Sequence, residues 1–235
     1  MIEKRGTLFL LGVMKEVLMS KWSPRYAQLC QDLFPYLLTN GKKNGFYVDF
    51  GCRDPFKTNN TWFLEEKLDW AGISIDIVDY SKIWQQRKSQ FIQADALHIN
   101  IKKLFENYKV PKVVDYLTHD LEGNGDRYRG LINIPFDDYD FKIITLEHDA
   151  YRGFSKTERE PQRRFLNSKG YFLVCSNVKS HAGDSQEDWW VNPKYISREV
   201  YGKFMSESQK FNHIFKFAGY DIDKLYDFYK ENNHE

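Results

Sequence analysis

From Gly45 onward the chain alternates short apolar runs with amphipathic stretches, and this rhythm constrains the fold more than any other feature of its 235 residues. The apolar runs predict strands over 46–50, 73–77, 91–94, 113–117, 142–146 and 171–176. The stretches between them predict helices over 60–68, 82–88, 101–108, 126–131 and 157–169. The last helix carries its own punctuation, with Thr157 as N-cap, Glu160 three residues on, and Gly170 past the end. Strands alternating with helices form a parallel sheet covered on both faces. The expected fold is therefore α/β, a doubly wound, mostly parallel sheet with helices on both faces. Residues 1–44 read as an N-terminal helical extension, with Tyr26, Leu29, Leu33 and Leu37 on one helix face after Pro24 and Arg25. Residues 45–196 carry the sheet, and Trp189-Trp190-Val191 reads as an edge strand. Residues 197–235 read as a C-terminal helical segment packed on the same domain, or as an oligomer contact, from patterns near 197–210 and 222–231.

Composition excludes several classes. With 34 Lys+Arg against 33 Asp+Glu, the net charge of +1 argues against a dedicated nucleic-acid binder. Cys30, Cys52 and Cys175 are odd in number and widely spaced, which supports neither a disulfide framework nor a cysteine zinc site. A reducing, cytoplasmic setting is expected. The apolar stretch 8–14 is too short for a transmembrane segment. Aromatic residues reach 17%, enough to supply flat platforms for sugar faces as well as a core.

In a doubly wound sheet the ligand sits beyond the carboxyl ends of the strands. Acidic residues end five consecutive predicted strands: Asp49, Asp76, Asp95, Asp120 with Glu122, and Glu147 followed by His148 and Asp149. Local turn and cap chemistry accounts for any single one of these, but less readily for five on one rim. Gly51 allows a tight turn, and Asp49 can accept from loop amides or an ammonium group. Asp76, 25 residues beyond Gly51, stands where an acid grips the two hydroxyls of an adenosine ribose. The G-x-G-x-x-G fingerprint is absent, since Gly51 is followed by Cys52, Arg53, Asp54, Pro55 and Phe56. Acids at this loop disfavour a pyrophosphate and suit a cationic sulfonium cofactor.

The stretch Gly45-Phe46-Tyr47-Val48-Asp49-Phe50-Gly51 through Asn60-Thr61, Leu64-Glu65, Trp70 and Gly72-Ile73 resembles the FkbM-type methyltransferases. Asp120-Leu121-Glu122-Gly123 resembles the D-x-E-G motif of that family, and Lys142 to His148 its fifth strand, with Gly170-Tyr171 before the sixth. The resemblance covers roughly 45–195 and implies a Rossmann-like, class I methyltransferase using S-adenosyl-L-methionine on a hydroxyl. The implied acceptor is a sugar of a glycan or glycoconjugate, or another small molecule, with a deoxyhexose as the working choice. It implies a cofactor site drawn from Asp49, Gly51, Cys52, Arg53, Thr61, Asp76, Ile77, Asp95, Ala96 and Asp120. Two positions depart from the family pattern: Pro55 replaces a glycine, and Gly125 stands where an acid is usual. These departures motivate an inactive binding module as the alternative; a nicotinamide-dependent oxidoreductase is a more distant one.

A sugar hydroxyl needs a general base or an acidifying metal before it attacks a methyl group. The candidates are Asp120 or His148 as base, with Glu122 and Glu147 orienting it or the substrate. Asp120, Glu147 and His148 also offer ligands for magnesium or manganese. The polar stretch before Trp189 reads as a lid or an ordinary surface loop, with His181, Asp184, Asp188 and Trp189 as substrate candidates.

Overall fold

A computed structural model describes residues 27–225. In chain order the elements are α1 (Leu33–Leu38), β1 (Phe46–Phe50), α2 (Trp62–Leu68), β2 (Ala71–Asp76), α3 (Ser81–Trp84) and β3 (Gln90–Gln93). There follow α4 (Ile101–Asn107), β4 (Val113–His119), α5 (Asp126–Asn133), β5 (Asp140–Glu147), α6 (Glu160–Ser168), β6 (Phe172–Lys179) and β7 (Ser185–Val191). The chain closes with α7 (Arg198–Tyr201), β8 (Ser206–Glu207) and α8 (Phe211–Phe217).

The eight strands form one sheet in the order β3-β2-β1-β4-β5-β7-β6-β8. The run from β3 to β5 is parallel, as expected for a doubly wound sheet. Strand order reverses between β1 and β4, so the crevice beyond their carboxyl ends is the switch point of the fold.

Alternation along each strand sends neighbouring residues to opposite faces, and both faces are covered. Tyr47, Tyr116, Ile143, Trp189 and Val191 join one core with Phe34, Trp62, Phe63 and Phe215. Val48, Leu117, Ile144 and Trp190 join the other with Phe105 and Leu166. Adjacent Trp189 and Trp190 thus fill different cores. Every tryptophan among the described residues is buried. The aromatic excess is therefore largely core material.

Three expectations about elements are corrected. Trp189-Trp190-Val191 lies not on an edge but inside the sheet, because β6 and β7 form an antiparallel hairpin whose β7 pairs with β5. The helix expected over 197–210 ends early. After a 3₁₀ turn at Gly202–Phe204, Ser206 and Glu207 leave to pair with Cys175 and Ser176 along the sheet edge. Thr157 is not an N-cap. Residues 155–159 form a π-turn, the α-helix starts at Glu160 with Pro161 in its first turn, and the Thr157 hydroxyl donates to Asn124 Oδ1. Within the N-terminal pattern, Cys30 adopts a positive φ of 60° and confines the helix to Leu33–Leu38. Pro24, Arg25 and Tyr26, and the pattern beyond Leu225, lie outside the described residues.

The three cysteines are free and buried. No helix among the described residues is long and apolar enough to cross a membrane.

Candidate functional site at the carboxyl rim

The first loop is stitched to both neighbouring strands. Gly51 and Cys52 donate to Ile75 O, while Asp120 N–H donates to Phe50 O at 2.9 Å. Gly51 has φ +79°, and a Cβ there would lie 2.0 Å from the Asp120 carbonyl oxygen. Its side-chain-free backbone therefore serves the approach of β4, where the sequence suggested a ligand's approach.

Beneath the loop runs a buried polar network. The guanidinium of Arg87 donates to Pro55 O, Asn59 Oδ1, Tyr47 OH, Thr61 Oγ1 and Glu65 Oε2. Pro55 lacks an amide donor, and its carbonyl anchors the loop instead, at 2.7 Å from Arg87. Asp49, 2% exposed, accepts from the Thr61 hydroxyl at 3.2 Å. Thr61 is fully buried and Cys52 nearly so. These three underlie the loop rather than line an open surface.

Burial pushes the Asp49 carboxyl up to about 7, with Arg87 and the Thr61 hydroxyl offsetting part of that rise. An unfolded aspartate ionises near pH 4, so the folded chain holds a proton that the unfolded chain releases between about pH 4 and 7. Stability contributed by protonated Asp49 is present below that window and falls as pH rises through it. Asp49→Asn is expected to flatten this slope in urea midpoints taken from pH 4.5 to 7.5; an unchanged slope would remove Asp49 as its source.

Asp76 ends β2 with each carboxylate oxygen accepting one backbone amide, from Arg53 and from Val78, both at 2.9 Å. One acceptor position per oxygen stays free of these amides. Ile77 and Val78, 64% and 51% exposed, lie directly beyond it. Asp95 accepts from Leu97 N–H and meets His98 Nδ1 at 2.7 Å. Ala96 is buried, and its carbonyl accepts from Asn133.

Ends of β4 and β5 assemble a charged cage around a residue that the strand-end reading missed. Arg127, fully buried on α5, donates to Glu147 Oε2 from Nε and Nη2 at 2.9 and 2.6 Å, and to Asp149 Oδ2 at 2.9 Å. It also donates to Gly123 O. Glu147 is hydrogen-bonded to Asp120. Burial, with its like-charged neighbours, holds both Asp120 and Glu147 above the usual carboxylate range. Adjacent carboxyl groups resist ionising together, which favours one proton held between them. Several acids on one rim require a counter-cation, and that requirement was the available signal for Arg127. The sequence could not say which arginine answers it.

Gly125 also finds its explanation here. It opens α5 with φ +88°, and its amide and that of Tyr128 donate to the carboxylate of buried Glu158. An acid does serve this helix start, supplied from the turn before α6.

Other candidates lie elsewhere. His148 is fully buried: Nδ1 accepts from Ala150 N–H at 3.1 Å, which leaves Nε2 as the proton-bearing nitrogen, 3.4 Å from Asp188 Oδ1. Asp188 is buried in a two-pronged ion pair with Arg163, at 2.7 and 2.9 Å. Burial alone would raise its pKa, but Arg163 and His148 bring it down to about 2. Arg163, on α6, is thereby drawn against β7, its side chain 20% exposed. Trp189 is fully buried, with Phe34 at 4.8 Å and its indole N–H donated to Glu187. It offers no face to a sugar. The stretch read as a lid is the β6–β7 hairpin, with His181 and Asp184 near its tip and Asp188 and Trp189 inside. These four do not form one substrate surface.

The metal reading fails on the same geometry. Glu147 is held by a guanidinium and Asp120, while His148 faces Asp188. Among the described residues no group of three or more His, Cys, Asp or Glu is placed to hold an ion. A cavity of about 290 Å³ lies at the opposite, amino end of the strands, beside Trp70, Lys88 and Tyr108.

No protein-family model matches the chain, and no curated protein sequence matches it. Among solved structures, the chain is similar to a protein of Clostridium thermocellum named as an rRNA methylase, at 12% identity and a TM-score of 0.47, covering 71% of this chain and 97% of that one. It is similar to a protein of Klebsiella pneumoniae named as an O-methyltransferase, at 11% identity and a TM-score of 0.48, covering 69% and 79%. Aeropyrum pernix fibrillarin, solved with natively bound S-adenosyl-L-methionine, gives 11% identity and a TM-score of 0.48, covering 72% and 76%. None of these likenesses carries an argument about the chemistry of this chain.

Proposed function

We propose that the chain is an S-adenosyl-L-methionine-dependent O-methyltransferase acting on a hydroxyl, with a sugar or other small polyhydroxy compound as acceptor. The observation that carries this reading is Asp76. Two loop amides fix its carboxylate at the end of β2, one strand from the β1/β4 switch point, leaving an acceptor position on each oxygen for two vicinal hydroxyls. The exposed Ile77 and Val78 beside it suit the face of a purine. Acids continue along the rim to Asp120, where a sulfonium is favoured and a pyrophosphate is not.

When bound, the cofactor supplies an electrophilic methyl group. The chain's task is to place the acceptor oxygen in line and remove its proton. Asp120, half-buried at the end of β4, takes that proton into the pair it shares with Glu147. Arg127 keeps Glu147 in place. His148 is a positioning residue that ties the β5 end to Asp188, so the base role passes to Asp120 alone. The non-catalytic alternative loses its motive, since Arg87 and Glu158 supply the anchors that Pro55 and Gly125 seemed to remove.

Calorimetry with S-adenosyl-L-methionine and with NAD tests the cofactor assignment, and transfer of labelled methyl to a panel of polyols tests turnover. Asp76→Ala is expected to weaken S-adenosyl-L-methionine binding about 10–100-fold, the loss of two hydrogen bonds to a charged group. Unchanged affinity would overturn the assignment.

A further inference from the structure

Glu122 lies at the centre of an arginine triad. Its Oε1 is 3.4 Å from Arg53 Nη1, and its Oε2 is 3.8 Å from Arg127 Nη2 and 3.9 Å from Arg152 Nη1. The carboxylate is 61% exposed, Arg53 is 67% exposed and Arg152 49%. Such long, solvated pairs are weak and screened by salt. Guanidiniums from the first loop, from α5 and from the turn after β5 nevertheless approach this one carboxylate, Arg152 lying also 3.0 Å from Asp149 Oδ2.

The charge balance of the rim gives that convergence a use. Asp120, Glu122, Glu147 and Asp149 face Arg53, Arg127 and Arg152. Because Asp120 and Glu147 share a proton, three negative charges meet three positive ones. Adding a cationic methyl donor leaves one uncompensated positive charge. If Glu122 swings out, its charge leaves the cluster and the acceptor's anion replaces it: a monoanion restores the original balance, and a dianion also offsets the methyl donor. Guanidinium forks favour oxyanions, which they bind through paired N–H donors. Tyr151, 42% exposed, flanks the triad; its hydroxyl accepts from Arg152 Nε at 2.8 Å. It offers a flat face for the rest of the acceptor.

We propose that Arg53, Arg127 and Arg152 form an anion subsite for the acceptor, that Glu122 occupies it as an internal plug, and that the acceptor carries an oxyanion near the hydroxyl to be methylated. The inference narrows the substrate class of the proposed reaction and rests on that reading, but anion binding can be measured without it. The full chain is titrated calorimetrically with inorganic phosphate and, separately, with acetate. Glu122→Gln removes the plug's charge and is expected to tighten anion binding about tenfold, the size of one charge-assisted hydrogen bond. The double variant Arg53→Gln/Arg152→Gln is expected to abolish it. Glu122 and Arg53 are exposed and Arg152 is half-exposed, so circular dichroism should stay at the wild-type values, and the urea midpoint should fall only by the loss of the Arg152–Asp149 pair. Stronger binding of phosphate assigns a phosphate ester, and stronger binding of acetate a carboxylate. An anion affinity unmoved by Glu122→Gln, or retained by the double arginine variant, overturns the proposal. S-Adenosylhomocysteine titrated into the same samples reports separately on the cofactor site, so loss of one reading is not mistaken for loss of the other.

Discussion

Replacing Arg127 by methionine is expected to destabilise the fold by about 3–5 kcal/mol, the range for breaking a buried ion pair from one side. The side chain is fully buried, and four of its hydrogen bonds go to Glu147, Asp149 and Gly123 O. Methionine fills similar volume but leaves Glu147 without a cation and Asp149 with Arg152 alone, 3.0 Å away. Like charges then raise one another's pKa further, and part of the cost is relieved by protonation. Lysine keeps the charge but not the fork that reaches Glu147 and Asp149 together, so Arg127→Lys is expected to recover only part of the loss. Combining Arg127→Met with Glu147→Gln and Asp149→Asn removes the orphaned charges and is expected to restore stability relative to Arg127→Met alone. Urea midpoints at pH 7 measure all of these. A loss below about 1 kcal/mol, typical of an exposed pair, would show that the cage does not stabilise the fold.

The second large effect is on turnover. Asp120→Asn is expected to lower methyl transfer about 10²–10⁴-fold, the usual contribution of a positioned base. The amide keeps the shape of the carboxyl but cannot accept the proton. Affinity for S-adenosyl-L-methionine should change by less than about threefold, because the ribose is assigned to Asp76 on another strand. His148→Ala should act differently. The imidazole is enclosed between Ala150 N–H and Asp188, so its loss is expected to lower stability and to move kcat far less than Asp120→Asn does. Comparable losses of kcat in the two variants, with the fold intact, would return the base role to His148.

Much of the sheet was legible because its physics is local. β1 runs from Phe46 to Phe50 as its apolar alternation predicts, and most other strands fall within a few residues of theirs. The acids at the strand ends could be read for the same reason, since strand polarity puts them on one rim. Misreadings came where distant segments compete for the same surface. Trp189-Trp190-Val191 has the pattern of any buried strand, and nothing local says that it inserts beside β5. Residues 206–207 lie in a helical pattern, yet the open edge of β6 draws them into the sheet.

The candidate site divides along the same line. Gly51 was correctly marked as a position needing freedom, but the reason is the Asp120 carbonyl at its back, 69 residues away. Pro55 and Gly125 looked like losses because their compensations, Arg87 and Glu158, come from other loops. Trp189 looked like a sugar platform because an exposed and a buried tryptophan carry the same letter.

The sequence by itself determined the alternation of strands and helices, the acid-rich rim and the absence of a dinucleotide loop, because these follow from periodicity and from residue type. Only the tertiary structure decided which arginine neutralises which acid, which carboxyls share a proton, and which aromatics face solvent. Those outcomes depend on distances of a few ångströms between segments far apart in the chain, and charge pairing and burial are set by such distances rather than by local pattern.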